Sequence, residues 1–112
     1  MGYSRGIRVG NMVFLAGTAA TDGEGRVQGA DAFSQTDFII RKIQASLREL
    51  DAELEHIVST ITHLSDMAHF DDYARAHRQY FDEITPVNTT VQATLVRPEF
   101  LVEITATAVI PE

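Results

Sequence analysis

Apolar and polar positions follow different periods in successive parts of this chain, and each period predicts a structural element. Ile7 and Val9 alternate with polar residues, Gly10-Asn11 is a two-residue turn signal, and residues 12–16 are mostly apolar. This pattern predicts a β-hairpin. Residues 17–29 contain four glycines and predict a loop.

Two later segments have the three- and four-residue spacing of amphipathic helices. The first follows Asp31, a predicted N-cap. Its apolar stripe consists of Ile40, Ile43, Leu47, Leu50 and Leu54. The second helix has its apolar stripe between Phe70 and Ile84 and ends before Pro86. The opposite face of the first helix, which includes Lys42, is charged and predicted to be solvated.

Three more strands are predicted at residues 57–64, 89–96 and 101–110, which gives the order β-β-α-β-α-β-β in one domain of residues 1–112. Two helices can cover one face of such a sheet. We place Val91, Ala93 and Leu95 under the helices and expect the other face to be rich in threonine, with almost no charge. Because solvated strands usually carry more charge, that face predicts burial against other copies of the chain.

Composition narrows the function classes. The chain of 112 residues has no cysteine, which excludes disulfides and thiolate chemistry. A formal net charge of −7 with scattered basic residues argues against nucleic-acid binding. No signal peptide or membrane span is visible, so we expect a cytoplasmic protein that does not bind membranes. The four histidines have no metal-ligand spacing, and His77 is expected to be a partly buried, hydrogen-bonded residue.

One ionisable residue, Glu103, falls on the threonine-rich face of the last strand. A carboxylate at a subunit junction is costly unless it is paired or used. Two interpretations stay open at this point. Glu103 is either a structural residue that forms a salt bridge or binds water, or a functional one.

The chain resembles the Rid family (reactive intermediate deaminase, YjgF-like) along nearly its whole length. The resemblance lies in Tyr3 to Gly17, in Gln35, in Asp66 and in the run Leu101 to Ala108. It implies an α+β, chorismate-mutase-like fold: a mixed sheet with two helices on one face. It also implies a homotrimer with a barrel-like core and three clefts between subunits. The best known members of the family hydrolyse enamines and imines, for example 2-aminoacrylate, so the resemblance implies such an activity without metal or organic cofactor.

The resemblance assigns roles to individual positions. Glu103 matches the carboxylate that handles water, Tyr3 matches an aromatic residue lining the cleft, and Gly17 matches a glycine whose backbone approaches the substrate. The family's substrate-binding arginine is replaced by Asn88, which with the adjacent threonines would form a polar pocket. Those threonines are Thr89 and Thr90.

The missing arginine limits which function can be transferred. Losing a charge-assisted pair of about 2–4 kcal/mol predicts weak or absent activity on 2-aminoacrylate. Whether Arg97 replaces that cation, or is a surface residue at a strand end, stays open. We therefore expect a divergent Rid-type hydrolase acting on small enamine or imine metabolites. The alternative is a non-catalytic trimer that binds a small metabolite or a partner protein, and a ribonuclease is disfavoured by charge.

Overall fold

The computed structural model describes residues 2–112. They form two α-helices and six β-strands, with short 3₁₀ turns at Leu54–His56 and Met67–His69. The helices are α1 (Ala32–Glu49) and α2 (Phe70–Phe81). The strands are β1 (Gly6–Val9), β2 (Met12–Leu15), β3 (Thr18–Ala19), β4 (Ile57–Leu64), β5 (Val87–Gln92) and β6 (Val102–Val109).

The strands form one mixed sheet in the order β1-β2-β6-β4-β5, and β3 also pairs with β6. Only β4 and β5 pair in parallel, while the other pairs are antiparallel. Both helices cover the same face, so the predicted α+β architecture is confirmed. The strand β3 lies within the predicted loop and was not expected, since a two-residue strand leaves no periodic signal.

Helix α1 forms where its capping residue and its apolar stripe predict it. Asp31 accepts a 2.7 Å hydrogen bond from the Ser34 amide, which confirms the N-cap. Of the stripe, Ile40, Ile43 and Leu47 are fully buried, and Leu50 and Leu54 pack partly buried against the same core. The helix ends at Glu49, before the predicted Leu54, because Asp51 adopts a left-handed φ of 62° that a helix cannot continue through.

The predicted hairpin is also confirmed. Val9 pairs with Met12 across the turn, and Gly10 has a φ of 61°. A positive φ is what the favoured two-residue hairpin turns require, and glycine adopts it without steric cost. The turn therefore fixes which residues of β1 and β2 share a face.

The prediction for β5 was wrong in its bounds and in its faces. The strand starts at Val87, directly after Pro86, and ends at Gln92. Asn88 and Thr90 lie on the helix side: the Asn88 amide donates to the Tyr73 hydroxyl of α2, and Thr90 donates to Asn88. Val91 is 40% exposed on the other side. Since strand side chains alternate, the choice of partner for one residue decides the face of all the others.

The sheet face opposite the helices is uncovered in a single protomer. We call it the open face, and it is more apolar than the sequence suggested. Its exposed apolar side chains are Ile7, Val9, Met12, Phe14, Ile61, Val87 and Val91. Thr105 and Thr107 lie among them on β6, as expected. Within the described residues, neither helix combines the length and the apolar character needed to cross a membrane.

Candidate functional site

One cleft of about 400 Å³ contains Glu103. The cleft lies where the chain enters the hairpin, beside β3 and the start of β6. It is lined by Tyr3, Arg5, Ala16, Gly17, Ala19, Thr21, Val96, Phe100 and Glu103. We call it the Glu103 cleft.

The Glu103 carboxylate lies against the backbone of Gly17. A Cβ on Gly17 would overlap Glu103 Oε1 and lie 3.0 Å from its Cδ, so only glycine leaves room for this carboxylate. Among residues 2–112, no side chain forms an ion pair or hydrogen bond with the Glu103 carboxylate. Its register partner on β4 is His63, whose Nδ1 is buried without a hydrogen-bond partner. The described chain therefore leaves this carboxylate free to act on a ligand.

A second pocket of about 360 Å³ lies between α2 and the outer strand β5. Asn88 is held at its edge by three side chains. The Asn88 amide donates to Thr60 Oγ1 at 2.9 Å and to the Tyr73 hydroxyl at 3.1 Å, and its oxygen accepts from Thr90 Oγ1 at 2.8 Å. We call this the Asn88 pocket. At position 88 it offers a neutral amide where the resemblance would have placed a cation, and its lining also includes Arg78 and Asp82.

The whole chain matches known proteins. The family model described as Endoribonuclease L-PSP matches residues 1–110. A RutC family protein from Pyrococcus abyssi is 33% identical over 107 residues, which cover 95% of this chain and 84% of the relative. The crystal structure of a YjgF/YER057c/UK114 family member from Mycobacterium tuberculosis is 34% identical. It superimposes with a TM-score of 0.89 over 97% of this chain and 87% of that chain.

The chain belongs to the Rid (YjgF-like) family. A YjgF-family structure from Neisseria meningitidis agrees, with 27% identity and a TM-score of 0.88 over 98% of this chain and 88% of that one. The resemblance seen in the sequence is thereby confirmed, and so is the fold that it implied.

The predicted site residues of this Rid-family chain fall into separate places. Tyr3, Gly17 and Glu103 meet in the Glu103 cleft. Asn88 lines the Asn88 pocket, and Thr90 is bonded to it. Thr89, between them, points to the open face. Because Glu103 lies on the open face and Asn88 on the helix face, one protomer does not bring them together.

Two basic residues of the Rid-family chain lie where the sequence did not place them. Arg5 lines the Glu103 cleft, and the only signal for it was its position two residues after Tyr3 in an extended segment. Lys42, expected to be solvated, is partly buried and donates to Ala19 O and Thr21 Oγ1 at 3.0 and 2.9 Å. It thus fixes β3 and the residues after it to α1.

Arg97 does not enter the Glu103 cleft. It donates to Gly25 O and forms an ion pair with Glu99, each at 2.8 Å, and its guanidinium stacks on the Phe100 ring. These contacts engage both ends of the guanidinium. Among residues 2–112, no group of three or more histidine, aspartate or glutamate side chains is arranged to hold a metal ion.

His77 lies between α2 and the sheet, beside Asn88. Its Nε2 is 3.2 Å from Thr60 Oγ1, which confirms the expected hydrogen-bonded histidine. Burial lowers the pKa of His77 to about 4 from the ordinary 6.5. The ring is therefore neutral at neutral pH.

We expect this histidine to make the fold acid-sensitive. The unfolded chain binds a proton on His77 more tightly than the folded protein does. The contribution of neutral His77 to the free energy of unfolding is therefore complete above pH 6.5 and is lost as pH falls towards 4. The loss should be about 1–2 kcal/mol after solvent screening. Urea unfolding of wild type and His77→Gln between pH 7.5 and 4.5 measures it, with His69→Gln as control. An equal pH slope in wild type and His77→Gln would contradict the assignment.

Proposed function

We propose that the protein is a divergent Rid-type hydrolase that deaminates small enamine or imine metabolites at clefts between subunits. The observation that carries the proposal is the Glu103 carboxylate, unpaired within the described chain, lying over Gly17 in a cleft with Tyr3. A carboxylate so placed can accept a proton from water, which is what hydrolysis of a C=N bond requires.

The reaction balances with water alone. An enamine first moves a proton from nitrogen to carbon and becomes the imine. The oxygen of a water molecule then bonds to the imine carbon, while one water proton passes to Glu103 and on to nitrogen. The hydroxyl proton of the resulting carbinolamine then passes through Glu103 to the nitrogen as the C=O bond forms. The C–N bond breaks, and ammonia leaves with the electron pair of that bond. Glu103 ends the cycle in its initial state.

A site that contains both Glu103 and Asn88, its two halves, needs two copies of the chain. Glu103 and Asn88 lie on opposite faces of the sheet, and Asn88 is on its edge strand. The apolar open face would be buried if three copies packed their sheets around an axis, as the family resemblance implies. Large exposed apolar patches are typical of such interfaces. In that arrangement the edge strand of one copy supplies Asn88 to the cleft that holds Glu103 of the next.

The presence of Asn88 argues against efficient hydrolysis of 2-aminoacrylate by this protein. Its amide hydrogens are committed to Thr60 and Tyr73, and an amide cannot form the bidentate ionic pair that arginine makes with a carboxylate. The substrate is thus a neutral imine or one whose carboxylate is held elsewhere. The alternative, a non-catalytic trimer that binds a metabolite or partner protein, shares the cleft and lacks the turnover.

Subunit mixing tests the composite site. Glu103→Gln and Asn88→Leu each inactivate one half of every cleft, so each variant alone should be inactive. Co-refolded in equal amounts, they should recover about one quarter of wild-type turnover, because a random ring places both intact halves in one cleft in four. Light scattering should give three times the 12.4 kDa chain mass for each sample.

Other outcomes distinguish the composite site from the alternative interpretations. If both residues acted within one protomer, mixing would recover nothing. A single-chain mass in solution would contradict the trimer. Wild type that binds imines or keto acids without turnover would support the non-catalytic alternative. Cleavage of a single-stranded RNA by wild type, lost in Glu103→Gln, would instead support the ribonuclease that the family description names, against the net charge of −7.

A further inference from the structure

Arg5 is a cation within the Glu103 cleft. Its Nη1 donates to Thr18 Oγ1 at 3.0 Å and to Gly17 O at 3.5 Å, which orients the guanidinium beside the strand that carries the carboxylate. The rest of the side chain is exposed. A guanidinium has five N–H donors, so most of them stay available to a ligand.

Arg5 has no carboxylate partner among residues 2–112. Six of the chain's nine basic residues form ion pairs within the described structure, and they are Arg8, Arg26, Arg41, Arg48, Arg75 and Arg97. Arg5 and Lys42 are not among them, although acidic residues outnumber basic ones. Lys42 donates to Ala19 O and Thr21 Oγ1, two residues that line the Glu103 cleft, so a second cation lies beside it.

Besides burial, the positive charge of Arg5 affects the pKa of Lys42. Burial, and then the positive charge of Arg5, lower the pKa of the Lys42 ammonium, and Asp22 offsets part of this. Two neighbouring cations repel each other, and an anion bound at Arg5 would relieve that repulsion. The surroundings of Arg5 are therefore those of an anion-binding position.

We infer that Arg5 is a specificity-determining residue that binds the anionic group, most simply a carboxylate, of the substrate in the Glu103 cleft. This inference rests on the proposed function. The substrate is then an anionic imine whose carboxylate is bound by the same protomer that supplies Glu103. Because Arg5 and Asn88 lie in different places, this substrate carboxylate lies elsewhere than one bound at residue 88.

Two other arginines are less suited to this role. The guanidinium of Arg97 is occupied by Gly25, Glu99 and Phe100, as described above. Arg78 forms no ion pair among the described residues, but it lines the Asn88 pocket and not the Glu103 cleft. Arg78 is therefore the competing cation, and the experiment includes it.

The test compares imines that differ only in the carboxylate. Amino-acid oxidase generates 2-imino acids from leucine or phenylalanine, and amine oxidase generates the uncharged imines from 3-methylbutylamine or 2-phenylethylamine. Hydrolysis is followed in competition with semicarbazide. Arg5→Gln should lower kcat/KM for the anionic imines by about 10-fold or more and change that for the uncharged imines less than about 2-fold. Arg5→Lys should recover part of the loss, and Arg48→Gln should match wild type.

A binding measurement separates the two proposals. Titration with 2-oxobutanoate, followed by NMR, should saturate wild type and Glu103→Gln but not Arg5→Gln, and 2-oxobutanamide should bind none of them well. This pattern without any turnover would support Arg5 and refute the hydrolase. Turnover that depends on Glu103 but is equal in wild type and Arg5→Gln would refute Arg5 alone. Selective loss in Arg78→Gln would assign the anion to that residue and overturn the inference.

Discussion

Replacing Glu103 by glutamine should lower the turnover of imine hydrolysis by a factor of about 10²–10⁴, the usual contribution of a positioned general base. Glutamine has nearly the same size and shape, so it can keep the contact with Gly17 and the place opposite His63 on β4. It cannot take a proton from water. The loss should therefore appear in kcat, measured as keto-acid release in competition with semicarbazide.

The matched control is Glu55→Gln, which removes the same charge at an exposed site away from both pockets. It should keep wild-type turnover. Glu103→Gln should retain the mass of the wild-type assembly and its thermal stability, because the carboxylate makes no ion pair within the described chain. Wild-type turnover in Glu103→Gln would remove this residue from the reaction, and with it the observation on which the proposed function depends.

Replacing Gly17 by alanine is expected to lower turnover by about 10²-fold while costing less than about 1 kcal/mol of stability. The added Cβ would overlap Glu103 Oε1, so the carboxylate must move. It is the far end of a flexible side chain, which makes the movement cheap for the fold. A shift of about 1 Å is nevertheless enough to misplace a catalytic group. Parallel measurement of kcat and of thermal unfolding tests this separation.

Gly23→Ala is the control for this substitution. It lies in the neighbouring loop, and a Cβ there would meet no atom within 4 Å, so activity and stability should stay unchanged. Full activity in Gly17→Ala would show that the close approach of Glu103 to the backbone is irrelevant to the reaction. A large loss of stability would show that the glycine is required by the fold instead.

Local signals in the sequence were sufficient for the existence of both helices, for the start of α1 and for the hairpin. Asp31 caps α1 because its side chain reaches the Ser34 amide only three residues away. The turn at Gly10 sets the pairing of β1 with β2 in the same short-range manner. The end of α1 was predicted too late, because Leu54 continues the apolar spacing while packing against the core from a 3₁₀ turn.

Strand β5 shows where local signals fail. The strand mixes β-branched and polar residues, so either of its two sets of alternating side chains was compatible with the face covered by the helices. The decision came from α2, whose Tyr73 hydroxyl binds the Asn88 amide. That contact spans 15 residues and depends on how helix and sheet pack. The uncovered face consequently carries Val87 and Val91, and it is more apolar than expected.

For the candidate site, the sequence identified Tyr3, Gly17 and Glu103 through the family resemblance, and the structure placed them in one cleft. The sequence did not identify Arg5, because a lone arginine in an extended segment has no pattern of its own. The sequence left open whether Arg97 replaces the missing cation or is a surface residue at a strand end, and the structure places Arg97 in contact with Glu99 and Phe100.

The sequence by itself thus determined the order of the helices and of every strand except β3, the fold class and the family, since these follow from periodicity, caps, turns and a resemblance along the chain. Only the tertiary structure decided which residues share a space: Arg5 beside Glu103, and Asn88 on the opposite face of the sheet. The physical reason is that these relationships depend on sheet register and on helix packing. Both are set by contacts between residues far apart in the chain.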